Sequence, residues 1–170
     1  VGSEMCIRDR PNEHQKLVGE VVPNQISVGG IQRVLQNLLN ERVSIRDLPT
    51  ILEGISEACA FTRNVTQLTE HVRSRLARQI SEQNSTEDNF IPLVTLSAEW
   101  EQIFSDSILD QGEDKQLSMA PSQLQRFIGA VRNTLDELAD IEDPPVVLTS
   151  PSARPFVRSI IERFRPATSI

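Results

Sequence analysis

Apolar residues recur at helical spacing through the first half of the chain. Ile31, Val34, Leu35, Leu38 and Leu39 follow the i, i+3, i+4, i+7 pattern. They predict a helix capped by Ser27 and running through Asn40. Gly29 and Gly30 fall in its first turn, where each weakens the helix by up to about 1 kcal/mol relative to alanine. A shorter apolar face, Leu17, Val21 and Val22, precedes it and stops at Pro23. After a loop at Glu41-Arg42-Val43-Ser44, the residues Leu48, Ile51, Leu52, Ile55 and Cys59 share one face of a second helix. Ser44 with Asp47 resembles a capping box, but Pro49 suits only a first helical turn and favours Asp47 as the N-cap. Asn64 with Gln67 marks a third helix, along which Leu68, Val72, Leu76 and Ile80 step by four.

Residues 81–89 are polar and without period, which predicts a linker. Beyond it the texture changes. Phe90-Ile91-Pro92-Leu93-Val94-Thr95-Leu96 reads as a short strand whose proline places it at an edge or a start. Ser97 caps a helix carrying Trp100, Ile103, Phe104 and Ile108, ended by Gly112. Pro121 opens a helix with the clearest stripe in the chain: Leu124, Phe127, Ile128, Val131, Leu135 and Leu138. Pro144-Pro145 stops it. Val146-Val147-Leu148-Thr149 is a second strand, and Ser150 or Ser152 caps a last helix bearing Phe156, Val157, Ile160, Ile161 and Phe164. Ala167-Thr168-Ser169-Ile170 reads as the start of a further, unfinished strand. The expected fold is α+β: a helical subdomain over 11–80, a linker at 81–89, and a small α/β sandwich over 90–170 that lacks its last strand. Residues 1–10 resemble translated sequencing adapter and are set aside from fold reasoning, together with Cys6.

Composition narrows the chemistry. The 170 residues carry a formal charge of −7, against the positive potential that a general nucleic-acid binder needs. No apolar run approaches the ~20 residues of a membrane span. His14 and His71 are the only histidines, and Cys59 sits on an apolar stripe, so nucleophilic, metal and triad chemistry are poorly supplied. His71, between Glu70 and Arg73, reads as a solvated surface residue. Asp110, Glu113 and Asp114 around Gly112 read as a solvated acidic loop, lacking the ligand alternation of a calcium loop. Charge is also uneven: residues 98–114 hold six carboxylates and no Lys or Arg, whereas the last helix bears Arg154, Arg158, Arg163 and Arg165 against Glu162. Such asymmetry can orient docking, or it can be ordinary surface charge. A helix-turn-helix DNA binder is a competing reading, but the helix from Leu48 to Ala60 has no Arg or Lys with which to read bases.

One stretch is more specific. Val34-Leu35-Gln36-Asn37-Leu38-Leu39-Asn40-Glu41-Arg42-Val43-Ser44-Ile45-Arg46-Asp47-Leu48-Pro49-Thr50-Ile51-Leu52-Glu53 closely resembles the signature region of the flagellar and type III secretion export-gate family, FHIPEP. Ile91-Pro92-Leu93-Val94-Thr95-Leu96-Ser97-Ala98-Glu99-Trp100-Glu101 is similar to the family's passage into its last subdomain. A third matching stretch is the run from Pro145 to Pro151, followed by Arg154-Pro155-Phe156-Val157-Arg158 and Ile161-Glu162-Arg163-Phe164. The resemblance covers roughly residues 13–170, and its details look flagellar rather than virulence-type.

The resemblance implies a longer protein of the bacterial inner membrane, with these residues on the cytoplasmic side as the third and fourth cytoplasmic subdomains. The membrane part, the first two cytoplasmic subdomains and the final strand would be missing. It implies a nonameric ring that docks chaperone–cargo complexes for flagellum assembly, without enzymatic turnover, cofactor or nucleic acid. The implied partners are export chaperones with flagellar cargo, the stalk protein of the ATPase complex, other export-gate membrane proteins and further copies of the chain. Ser27, Val28, Gly29 and Gly30 align near the family's chaperone-facing surface, where two glycines leave a side-chain-free approach, or else they are simply a weak helix start. Arg46 and Asp47 are either a ring or interdomain contact or a local pair with Asp47 as cap.

Overall fold

The computed structural model describes Gly19 and residues 25–111, 114–140 and 143–170. Cys6, His14, Leu17, Val21, Val22, Gly112 and Glu113 lie outside these. The chain divides into two compact units between Ile80 and Ser81.

Unit 1 is helical: α1 (Val28–Asn40), α2 (Leu48–Ala58), α3 (Val65–Arg75) and the first part of α4 (Ala77–Gln83), which runs across the division. The start of α1 is fixed by Ser27, whose side chain accepts from Gly30 N at 3.1 Å. Its end is a Schellman turn: Val43 N donates to Leu38 O and Arg42 N to Leu39 O, both at 2.9 Å. Arg42 takes the left-handed conformation, φ 60°, where glycine is usual. The turn sends Val43 into the core. Asp47 caps α2 ahead of Pro49, as the proline's place predicts. The cores of α1, α2 and α3 merge through Ile31, Leu38, Ile51, Ile55, Leu68 and Val72. Gly54 permits the close approach of α2 to α3, since a Cβ there would meet Val72 Cγ2 at 3.3 Å and Arg75 Cγ at 3.4 Å.

One helix was expected from Asn64 to Ile80, but the structure breaks it at Leu76. Leu76 is buried and anchors the break, while α4 beyond it has no buried residue. The expected linker 81–89 is partly helical, because α4 runs to Gln83. The rest closes in a turn, with Thr86 N bonded to Phe90 O at 2.7 Å and Asn89 left-handed.

Unit 2 contains β1 (Leu93–Thr95), α5 (Ala98–Ser107), β2 (Ile108–Gln111), β3 (Asp114–Leu117), α6 (Pro121–Glu137), β4 (Val146–Leu148) and α7 (Arg154–Ile161). β1 and β4 pair in parallel, Val94 opposite Val147. One sheet face is covered: Val147 is buried and Val94 half-buried. The other leaves Leu93 and Leu148 about half exposed. The core stacks aromatic rings edge to face, Trp100 on Phe127 at 5.2 Å and Phe104 on Phe127 at 5.0 Å, over Val157 and Ile161.

Three expectations change here. Ile108 does not continue α5; it opens an antiparallel hairpin with Leu117 opposite, and Asp110 and Asp114 of the presumed acidic loop lie in its two strands. Lys115 stands opposite Asp110 in its register. Neither Ser150 nor Ser152 caps α7: its N-cap is Ala153, without a side-chain bond, and the two serine hydroxyls face each other at 3.5 Å. Glu101 Oε1 accepts from Ser150 N at 2.9 Å and from Thr149 Oγ1 at 3.0 Å. Residues 167–170 form no assigned strand, yet Val147 N donates to Ser169 O at 2.9 Å along the edge of β4 away from β1.

Candidate functional site

The first candidate surface is built by the N-terminus of α1. Val28 and Gly29 are exposed, and a Cβ on Gly29 would meet only Ser27 Oγ, at 3.9 Å. Gly30 differs. It is buried, and a Cβ there would lie 2.4 Å from Ile26 Cγ1. The side-chain-free approach therefore exists at Gly29 alone. Ser27 spends its oxygen on the cap.

The second candidate lies on the α1–α2 corner. Gln79 Nε2 donates to Ser44 O at 2.9 Å and Val43 is buried, so the corner is pinned from below. Arg46 and Asp47 remain exposed on it. Asp47 accepts from Thr50 N at 3.2 Å and from Thr50 Oγ1 at 2.8 Å. The two candidates are not brought together. Ser56 Oγ donates to Gln25 Oε1 at 2.9 Å, which sets the start of α1 beside the end of α2, whereas Asp47 begins α2.

Sequence reasoning missed a third feature. His71 is not merely solvated: its Nε2 lies 3.0 Å from Glu57 Oε2 and its ring stands edge-on to Phe61 at 5.6 Å. Phe61 is 68% exposed. The hydrogen bond with His71, then Arg75, hold the Glu57 carboxyl below the ordinary 4.5 against the effect of desolvation. The only available signal was an aromatic residue just past the end of one predicted helix and a histidine on the next. Cys59 is buried, and desolvation pushes its thiol up against the opposing charge of Arg63, as suits an unreactive core residue.

In unit 2 the arginine row is largely committed internally. Arg154 is buried and its Nε donates to Ile170 O at 2.9 Å; Arg158 Nη1 donates to Thr168 O at 3.2 Å; Arg165 pairs with Asp136. On the acidic side, Glu101 holds the loop after β4, and Glu99 faces Arg126 at 3.5 Å. Among the described residues, no three His, Cys, Asp or Glu gather as a metal site, and no helix is long and apolar enough to cross a membrane. The DNA-reading alternative loses its helix, since α2 buries six of its residues in the core of unit 1.

Comparison with known proteins points the same way. The FHIPEP family profile matches residues 4–170, a span that starts inside the stretch resembling adapter. The flagellar biosynthesis protein FlhA of Caulobacter vibrioides is 51% identical over 98% of this chain, which spans 24% of that relative's length. Among solved structures, nonameric EPEC SctV-C superposes with a TM-score of 0.83 at 26% identity, over 98% of this chain and 50% of that one. The Chlamydia pneumoniae CdsV protein, solved in complex with CdsO, gives 0.79 at 28% identity, over 98% and 47%. The chain thus covers about a quarter of the flagellar relative and about half of each solved chain. With the profile running over nearly its whole length, the chain belongs to the FHIPEP family, among flagellar biosynthesis and type III secretion export-gate proteins.

Proposed function

We propose that the chain is part of the cytoplasmic ring of a flagellar protein-export gate and works by holding partners rather than by making bonds. The observation that carries this reading is its high identity to the Caulobacter flagellar protein, well above its identity to the solved virulence-type proteins. That difference favours the flagellar over the virulence-type role. The nonameric relative supports a ring, and the CdsV–CdsO complex supports a protein partner bound to these units. Within the ring, Val28 and Gly29 present a flat patch to a chaperone carrying flagellar cargo, with Ser27 and Gly30 shaping the backbone beneath. Arg46 and Asp47 contact a neighbouring subunit or subdomain. The whole protein sits in the inner membrane with these units on the cytoplasmic side.

The test is replacement of the corresponding segment of the Caulobacter protein by residues 11–170. Restored swimming and filament export support the reading. A stable, correctly inserted chimera that exports no filament protein overturns it.

A further inference from the structure

The C-terminal end of α2 is charged against its own dipole. Its last turn carries Glu57 and no basic residue, so a carboxylate sits where the final carbonyls already concentrate negative charge. The compensation comes from α3. His71 Nε2 lies 3.0 Å from Glu57 Oε2. One turn further along α3, Arg75 Nη2 lies 3.7 Å from Glu57 Oε1 and 3.9 Å from Glu53 Oε2. Two carboxylates of α2 therefore face two basic side chains of α3. Between the helices the chain turns through Ala60, Phe61 and Thr62. Their N–H groups donate to Glu57 O at 3.2 Å, Ala58 O at 3.1 Å and Ala58 O at 2.9 Å. The Phe61 ring, though largely exposed, stands edge-on to the His71 imidazole with centroids 5.6 Å apart. One imidazole thus joins α3, the end of α2 and the aromatic ring of the turn.

The nitrogen that faces a carboxylate must carry hydrogen. An imidazolium always does; a neutral imidazole does so in one of its two tautomers and brings no charge. The charge-assisted bond is roughly twice as strong as the neutral one. On the elements packed here the other titratable or charged groups are Arg63 and the Cys59 thiol in the turn, and Glu70 and Arg75 on α3. α1 meets the opposite face of α3, where Glu41 holds Arg73 at 2.7 Å. Burial pushes the Cys59 thiol up, and arginine keeps its charge throughout. The His71 bond, with Arg75, holds the Glu57 carboxyl below the ordinary 4.5 against desolvation, so it stays ionised near neutral pH. Histidine is the side chain that changes charge there.

We propose that His71 is a proton-operated latch on the α2–α3 turn: as an imidazolium it clamps the end of α2 to α3 and holds the Phe61 ring in place, and on losing its proton it lets the turn open and the ring leave. A histidine that gains a carboxylate partner on folding adds stability while protonated and loses it as pH rises. The latch therefore loosens between about pH 5.5 and about pH 7.5. This inference concerns unit 1 alone and requires neither the chaperone patch at Gly29 nor the ring.

The test is amide hydrogen exchange of the 170-residue chain at Ala60, Phe61 and Thr62, read as protection relative to the unstructured rate at the same pH. Protection should be about threefold higher at about pH 5.5 than at about pH 7.5. The Overhauser contact between the Phe61 and His71 rings should weaken over the same interval. His71→Gln offers Glu57 a donor but takes up no proton, so its protection should be equal at the two pH values. Should that variant fail to fold, Glu57→Gln, at an exposed position, removes the carboxylate and is read by the same measurement. His14→Gln, which alters the other histidine, should leave the dependence as it is. Three outcomes would overturn the proposal: equal protection of the parent at both pH values, a dependence that survives loss of the His71 proton site, or one that disappears with His14.

Discussion

Arg73 Nη1 meets Glu41 Oε2 at 2.7 Å, tying the last turn of α3 to the C-terminal cap of α1. The side chains are only 11% and 15% exposed, so the pair lies between the surface and buried extremes. Removing one partner leaves the other poorly solvated. Arg73→Ala should cost about 2 kcal/mol in urea unfolding of the chain. Replacing both residues by methionine should cost less than Arg73→Ala alone. Equal costs would mean that the link contributes only packing.

Asp47→Ala should lose about 1 kcal/mol, because two bonds to Thr50 disappear from the start of α2. Asp47→Asn should retain most of the stability, since asparagine caps nearly as well. The same variant separates the two roles given to this residue. If Asp47 also touches a ring neighbour through its charge, Asp47→Asn leaves the melt in place and weakens assembly of the full cytoplasmic part in sedimentation.

Helix starts were legible wherever local chemistry decides them. Ser27, Asp47, Asn64 and Ser97 each turn a side-chain oxygen onto a backbone N–H, and Pro121 begins its helix with no cap at all. The features missed were set by tertiary structure or by weak local patterns. The β2–β3 hairpin alternates poorly, with Asp110, Gln111, Asp114, Lys115 and Gln116 along it. Its one local cue in sequence was Gly112 between the two runs. Nothing near Leu76 breaks a helix by propensity, yet the helix breaks there, with Leu76 buried and Ile80 of α4 only partly packed against the same core. Ser150 reads as a cap in sequence, but α7 starts at Ala153 and the Ser150 hydroxyl faces that of Ser152, while Glu101, far away in sequence, fixes the loop by accepting from Ser150 N. Of the candidate surfaces, Gly29 and Gly30 looked alike in sequence and differ only because Ile26 folds over one of them.

That difference is measurable. Gly29→Ala adds a methyl group into open space in a helical first turn and should stabilise the chain by up to about 1 kcal/mol. Gly30→Ala gains the same propensity but must displace Ile26, and should be net destabilising by thermal melt. On the chaperone reading, Gly29→Trp in the full cytoplasmic part weakens chaperone affinity by calorimetry without lowering its melting temperature. Unchanged affinity removes Gly29 from the contact.

Glu101 gives unit 2 a defined acid dependence. Burial opposes its ionisation, but the bonds from Ser150 and Thr149 outweigh that and hold its carboxyl below the ordinary 4.5. A carboxyl lowered on folding contributes stability above its unfolded value and loses it as pH falls through the folded one. Glu101→Gln keeps an acceptor oxygen but no charge. The parent should therefore melt above the variant at pH 7, and the gap should narrow as pH drops below about 4. Calorimetric melts of both proteins between pH 7 and pH 3 measure this. A gap that persists unchanged to pH 3 would assign the contribution of Glu101 to shape, with its charge playing no part in holding the β4–α7 loop.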